Sequence, residues 1–223
     1  MTRSNDLSDR PWSRRAFTAG VVGGGAIALT LPLLARAQQA QAPLAYPFPA
    51  APGNLGLTLA PTPACGAGAT EAQTEGPFYS PQTPLRASLL EPNARATKLV
   101  LQGIVLTPDC RPVANAVIDF WHCDEAGVYD TRGFKYRGHQ FTDANGVYRL
   151  ETIKPPPYPG RTPHIHAKLQ GQRTRLLTTQ VYFPDEAAAN ARDGIFRRTL
   201  LIAQRTLADG TLEGRFDFVL SPA

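Results

Sequence analysis

Apolar and polar residues alternate in short bursts along the second half of the chain. "KLVLQGIVL" (98–106), "AVIDFWHCD" (116–124) and "GVYRLETI" (146–153) are rich in β-branched and aromatic residues. "HIHAKLQG" (164–171), "LLTTQVYF" (176–183) and "EGRFDFVL" (213–220) continue the pattern, with turn-formers between the runs. Segments of this length, with a period of two, predict strands. "TDANGVYRL" places Asn145-Gly146 between two such runs and predicts a hairpin there. Helical spacing is confined to 185–192 and 195–205, so one or two short helices are expected. Short strands without long intervening helices predict an all-β fold, an antiparallel β-sandwich with long loops.

The first seventy residues follow a different pattern. Arg14-Arg15, a weakly apolar Gly/Ala stretch and Ala35-Arg36-Ala37 make residues 1–37 a twin-arginine export signal, with cleavage placed before Gln38. Glycines and Pro32 interrupt the apolar run, so an export signal is favoured over a membrane anchor, and no stable membrane insertion is expected. The protein is therefore expected to be exported, periplasmic or secreted, with the twin-arginine translocation machinery as a transient partner. Residues 38–70 are rich in Ala, Pro and Gly and read as a linker or arm. Residues 71–223 carry the strand pattern and form the expected catalytic domain.

Charge adds little. Five of the 23 basic and two of the 18 acidic residues fall within 1–37, which leaves 18 against 16. There is no basic cluster with interleaved aromatics, so nucleic acid is not an expected partner. An exported chain can hold disulfides, and of Cys65, Cys110 and Cys123 at least one stays unpaired within the chain. The pair Cys110–Cys123, at the two ends of one predicted strand, is favoured.

Chemistry concentrates in "PPPYPGRTPHIH" (155–166). The prolines hold the first half out of helix and central strand. On a strand, His164 and His166 point to one face, which suits a metal but also suits hydrogen-bonded surface histidines. The sequence offers no H-E-x-x-H, no C-x-x-C and no carboxylate beside the histidines. It offers tyrosines instead: Tyr158 between prolines, and Tyr129 at the end of "DEAGVY". A phenol has an ordinary pKa near ~10 and becomes a ligand at neutral pH only beside a strongly Lewis-acidic cation. Ferric iron suits two phenolates and two imidazoles, whereas zinc or copper would be more at home with further His or Cys.

"TEGPFY", "AVIDFWHCDEAGVYD", "FTDANGVYRLETIKPPPYP", "RTPHIHAKL" and "TTQVYFP" resemble, in order, motifs of the intradiol ring-cleavage dioxygenases, the catechol and protocatechuate enzymes. The resemblance covers about residues 71–220. It implies a non-haem Fe(III) held by Tyr129, Tyr158, His164 and His166. It also implies that Tyr158 serves as a base, that Arg161 stabilises negative charge on the substrate ring, and that Gln180 supports the site. The implied reaction opens a catechol-type aromatic diol between its two hydroxyl-bearing carbons with O2, giving a cis,cis-muconate-type diacid. Gly160 departs from the protocatechuate pattern, where a bulky aromatic follows "PYP". The N-terminal helical dimerisation segment of catechol-type enzymes has no counterpart, which leaves assembly as a homo-oligomer open. Two other readings compete: a secreted β-sandwich that binds carbohydrate on exposed tyrosines, and a Zn or Cu site at the histidine pair without phenolate.

Overall fold

The computed structural model describes residues 59–63 and 65–223. The export signal read at 1–37 lies outside the described residues, as does most of the 38–70 arm. Among the described residues, nine strands form two sheets. The first has the order β4 (Val147–Ile153), β1 (Lys98–Leu106), β8 (Leu212–Arg215), β7 (Ala203–Thr206), with β9 (Phe218–Val219) also on β1. The second has the order β3 (Arg137–Phe141), β2 (Val117–Trp121), β5 (His164–Gln170), β6 (Leu177–Tyr182). One short helix, α1 (Ala187–Arg192), follows β6. This is the expected all-β sandwich.

The core lies where the alternating residues of both sheets meet. Leu99, Leu101, Val105 and Leu150 from the first sheet cluster with Ile118, Phe120, Ile165, Ala167 and Leu169 from the second. Phe120 and Tyr148 touch across the gap, ring centroids 5.7 Å apart. Tyr148 is buried, so its hydroxyl needs a partner, and it donates to the Phe216 carbonyl at 2.7 Å. Each fully buried side chain of this size stabilises the sandwich by about 1.5–3 kcal/mol.

Four expectations are corrected. The sandwich is not wholly antiparallel: β1 runs parallel to β8 and to β9, because the chain returns to β1 from the far side through β7. The Asn145-Gly146 turn forms locally, with the Gly146 amide donating to the Asp143 carbonyl at 3.0 Å, but it does not close a hairpin. It carries the chain from β3 in one sheet to β4 in the other. Residues 195–205 are not helical beyond one 3-10 turn at Arg198–Leu200, since the following residues pair with β8 as an edge strand. The disulfide joins Cys65 to Cys110, and Cys123 is a free buried thiol. Cys110 and Cys123 flank the five residues of β2, whose rise of about 15 Å keeps them apart. The bridge and the hydrogen bonds of Thr70 with Val219 fasten the end of the arm to the sandwich.

Side chains that alternate with the core residues line the opposite face of the second sheet. Arg137, Trp121, His166 and Gln180 stand side by side in register across its four strands. The loops that follow β2 and β4 fold over this face.

Candidate metal centre

Local sequence explains how each loop delivers its tyrosine. After β2 the chain turns at 124–128, where Asp124 Oδ1 accepts from the amides of Ala126 (2.9 Å) and Val128 (3.0 Å). Gly127, at φ 76°, packs against the other tyrosine loop: a Cβ there would lie 3.3 Å from that of Tyr158. Tyr129 leaves this turn pointing inward and is buried. The 155–157 proline run ends in a tight turn in which the Arg161 amide donates to the Tyr158 carbonyl at 2.9 Å. Gly160 supplies the positive φ of 80° that this turn needs.

His164 and His166 open β5 on the loop-covered face, and both are buried. Their rings lie 4.9 Å apart, centroid to centroid. Tyr129 sits 6.0 Å from His166 and 5.7 Å from Tyr158, and Tyr158 sits 5.5 Å from His164. The Tyr129 hydroxyl is 3.4 Å from His164 Nε2. His164 Nδ1 donates to the Thr162 carbonyl at 2.6 Å, which leaves the Nε2 lone pair facing the tyrosine. A ligating histidine is oriented in this way by the hydrogen bond of its other nitrogen. Trp121 stacks on His166 at 4.7 Å and 8°, fixing the plane of that ring.

Arg161 closes one side. Its Nε donates to Asp193 Oδ2 at 2.9 Å, Nη2 to Gln180 Oε1 at 2.5 Å, and Nη1 to the Tyr158 hydroxyl at 3.4 Å. Burial works against its charge, but the Asp193 hydrogen bond and the surrounding oxygens outweigh that and leave its pKa above the ordinary value. Burial disfavours the charge on Asp193 too. The Arg161 hydrogen bond and the amides of Ile195 and Thr162 overcome it, so this carboxylate stays below its usual range.

The donor chemistry matches one kind of ion. Burial, followed by the Arg161 charge, lowers the His164 pKa to about 3. Burial, followed by the neighbouring His164, takes His166 well below its ordinary value. Both imidazoles are thus neutral donors. Among the described residues no group of three or more His, Cys, Asp and Glu could hold a metal. Any cation here takes its counter-charge from the two phenols. Burial, then Tyr158, pushes the Tyr129 phenol up in the metal-free protein, and a hard, highly charged cation reverses that balance. His166 Nδ1 is buried without a hydrogen-bond partner. Two neutral imidazoles and two phenols suit ferric iron better than zinc or copper.

All six residues expected from the sequence therefore meet at one place. Missed were Asp193, which holds Arg161; Thr162, which orients His164; and Trp121, which braces His166. Trp121 was visible in "FWH" as the strand position that alternates with the core residues Ile118 and Phe120. Asp193 carried no local signal, since it reaches Arg161 only through the path of α1.

The fold and the site together define a class: a β-sandwich with loop-borne tyrosines over a strand-borne histidine pair. The family model described as dioxygenase matches residues 74–222, and the chain belongs to that family, the intradiol dioxygenases. It is 30% identical over 193 residues to the hydroxyquinol 1,2-dioxygenase of Corynebacterium glutamicum, covering 69% of this chain and 64% of that protein. It is 36% identical over 152 residues to the protocatechuate 3,4-dioxygenase beta chain of Burkholderia cepacia, covering 55% and 64%. Among solved structures, it is similar to the dioxygenase domain of a dioxygenase carbohydrate-binding protein fusion from Streptomyces sp. SirexAA-E. That match has a TM-score of 0.66 and 44% identity, and covers 70% of this chain and 99% of the other. The chain spans from 46% to 65% of the length of eight of the curated relatives it matches.

Proposed function

We propose that the protein is a non-haem Fe(III) dioxygenase that cleaves a catechol-type diol between its two hydroxyl-bearing carbons with O2, giving a cis,cis-muconate-type diacid. The observation that carries this reading is the convergence of two neutral imidazoles and two phenols, with Tyr129 Oη 3.4 Å from His164 Nε2. Tyr129, Tyr158, His164 and His166 would hold the metal. Ferric iron, when bound, supplies the Lewis acidity that ionises a diol near neutral pH. Tyr158, the half-buried tyrosine of the two, receives a diol proton on its Oη. The Arg161 guanidinium, 3.4 Å from that oxygen, holds the charge that develops on the ring, and a preorganised cation there is effective because it is already oriented. Gln180 and Asp193 keep it oriented. Tyr129 is too deeply buried to act as a stacking platform, which argues against a carbohydrate-binding module.

A visible spectrum tests the reading. Phenolate-to-Fe(III) charge transfer colours the iron-loaded protein burgundy, and the band shifts when catechol is added anaerobically. A colourless protein with stoichiometric iron would sink the tyrosinate site. Tyr158→Phe and His164→Ala should abolish oxygen uptake while the far-ultraviolet β signature persists. The twin arginines further support export by the twin-arginine route and a periplasmic or secreted enzyme. Replacing Arg14 and Arg15 by lysine should then retain the protein inside the cell, as read by fractionation.

A further inference from the structure

A cleft of about 270 Å³ opens on the sheet face that carries the site. Asp119 stands two residues before Trp121 on β2, Lys168 two after His166 on β5 and His139 two after Arg137 on β3, and Asp119 pairs in register with both. The cleft is therefore the next row of the same face, about 7 Å along the strands. Tyr79 and Thr83 line it as well.

A line of rings joins this cleft to the metal centre. Trp121 stacks on His166 at 4.7 Å, and Tyr79 meets Trp121 at 4.8 Å. Trp121 is buried, and its Nε1 has no acceptor among the described residues. An indole that loses an electron there keeps its proton and its positive charge, next to the buried Arg137, so the oxidation passes on. Tyr79 is placed to receive it. Its hydroxyl donates to Asp119 Oδ2 at 3.2 Å, and the Thr83 hydroxyl donates to Oδ1 at 2.9 Å. Burial pushes the Asp119 carboxyl up, which makes it a better base. Lys168 Nζ lies 4.1 Å from the centre of the Tyr79 ring and opposes a positive charge on it, so the proton leaves with the electron. Tyr182 touches His164 at 6.1 Å, but its hydroxyl donates to the carbonyl oxygens of Gln180 (2.9 Å) and Ile195 (3.4 Å), which are weak bases.

We infer that Trp121 and Tyr79 form a one-electron relay from the metal centre to this cleft, with Asp119 taking the Tyr79 proton, through which a soluble reductant clears oxidising equivalents that peroxide leaves at the centre. This rests on the reading of the centre as an oxygen-using iron site and adds a protective function to it. Reducing hydrogen peroxide to two waters takes two electrons and two protons. The relay delivers the electrons singly: Trp121 gives one to the centre, Tyr79 refills Trp121, and the Tyr79 proton moves to Asp119. A reductant such as ascorbate then gives one electron to the tyrosyl radical, and Asp119 returns the proton. The proton that ascorbate releases replaces one consumed at the centre.

Iron-loaded protein, mixed with hydrogen peroxide in the absence of diol and freeze-quenched, tests the relay by electron paramagnetic resonance. A tyrosyl radical should form, with its spectrum narrowed by ring-deuterated tyrosine and its signal removed by ascorbate. Tyr79→Phe should abolish the signal and leave oxidation products on Trp121, read by peptide mass spectrometry. Trp121→Phe should abolish it too, Asp119→Asn should lower its yield, and metal-free protein should give none. The far-ultraviolet signature and the burgundy band check that Tyr79→Phe, which removes a single hydroxyl, is folded and loaded. A tyrosyl signal of native intensity in Tyr79→Phe would overturn the inference, as would no signal in the native protein or an equal signal without metal. A burgundy, catechol-cleaving protein with no Tyr79 radical keeps ring cleavage and loses only the relay. A colourless iron-loaded protein loses both.

Discussion

Asp193→Asn isolates the group that holds Arg161 without changing the volume of the site. The Asp193 and Arg161 side chains are only 2% and 15% exposed. Asp193 Oδ2 accepts from Arg161 Nε (2.9 Å) and from the Thr162 amide (3.1 Å), and Oδ1 accepts from the Ile195 amide (3.0 Å). An asparagine removes the charge and turns an N–H toward at least one of these donors. Removing one partner of a buried pair costs about 3–5 kcal/mol. Arg161 keeps Gln180 and some solvent, which brings the expected cost to about 3 kcal/mol. For a domain of this size, the thermal midpoint then falls by about 6–12 °C. The folded pKa of Asp193 is depressed, so its contribution is full above the unfolded value of about 3.9 and is lost as pH falls through the folded value. The gap between native and variant midpoints should therefore be flat from neutrality to about pH 5 and shrink below it. With Arg161 released, kcat should fall about tenfold or more, less than the loss of a charge-stabilising group itself. A midpoint within about 1 °C of native at pH 7, together with unchanged kcat, would refute the reasoning.

Three further outcomes follow from the fold. Gly103→Ala would place a Cβ 1.8 Å from the Phe216 carbonyl oxygen, so β1 must shift; a loss of more than about 3 kcal/mol in urea unfolding is expected, and a native-like midpoint would contradict it. Cys110→Ser opens a bridge across a sequence separation of 45, worth about 4 kcal/mol by the chain-entropy relation, while peptide mapping of the native protein without reductant should find Cys65 joined to Cys110 and Cys123 alkylated only after unfolding. His122 is fully buried, its pKa lowered to about 4 by burial, with Nδ1 donating to the Cys123 carbonyl at 2.7 Å and Nε2 accepting from the Thr152 hydroxyl at 2.6 Å. The unfolded chain binds the extra proton between about pH 4 and 6.5, so stability should rise with pH through that window by up to about 3 kcal/mol, and His122→Gln should flatten the slope.

Much of the site was legible because its parts are close in sequence. Twelve residues from Pro155 to His166 contain three of the four donors and Arg161, and period two alone puts His164 and His166 on one strand face. Much of the fold was legible for the same reason: strand alternation marks which residues meet in the core. Pairing was less legible. The Asn145-Gly146 turn has hairpin chemistry, yet β3 and β4 join different sheets, because a turn sets local direction and not the neighbour a strand takes. The 195–205 stretch has apolar residues at helical spacing, but the edge of β8 claims residues 203–206.

The chain's own order of residues determined the strands, the like-facing histidines, the stiff tyrosine loop and the class of ion that such donors suit. Tertiary structure decided what depends on distant segments meeting. Tyr129 comes within 3.4 Å of His164 across 35 positions, Asp193 reaches Arg161 across 32, and Cys65 takes Cys110 while Cys123 stays buried. Local chemistry follows from neighbours along the chain. Which cation is clamped and which thiol is spared depend on the sheets' packing.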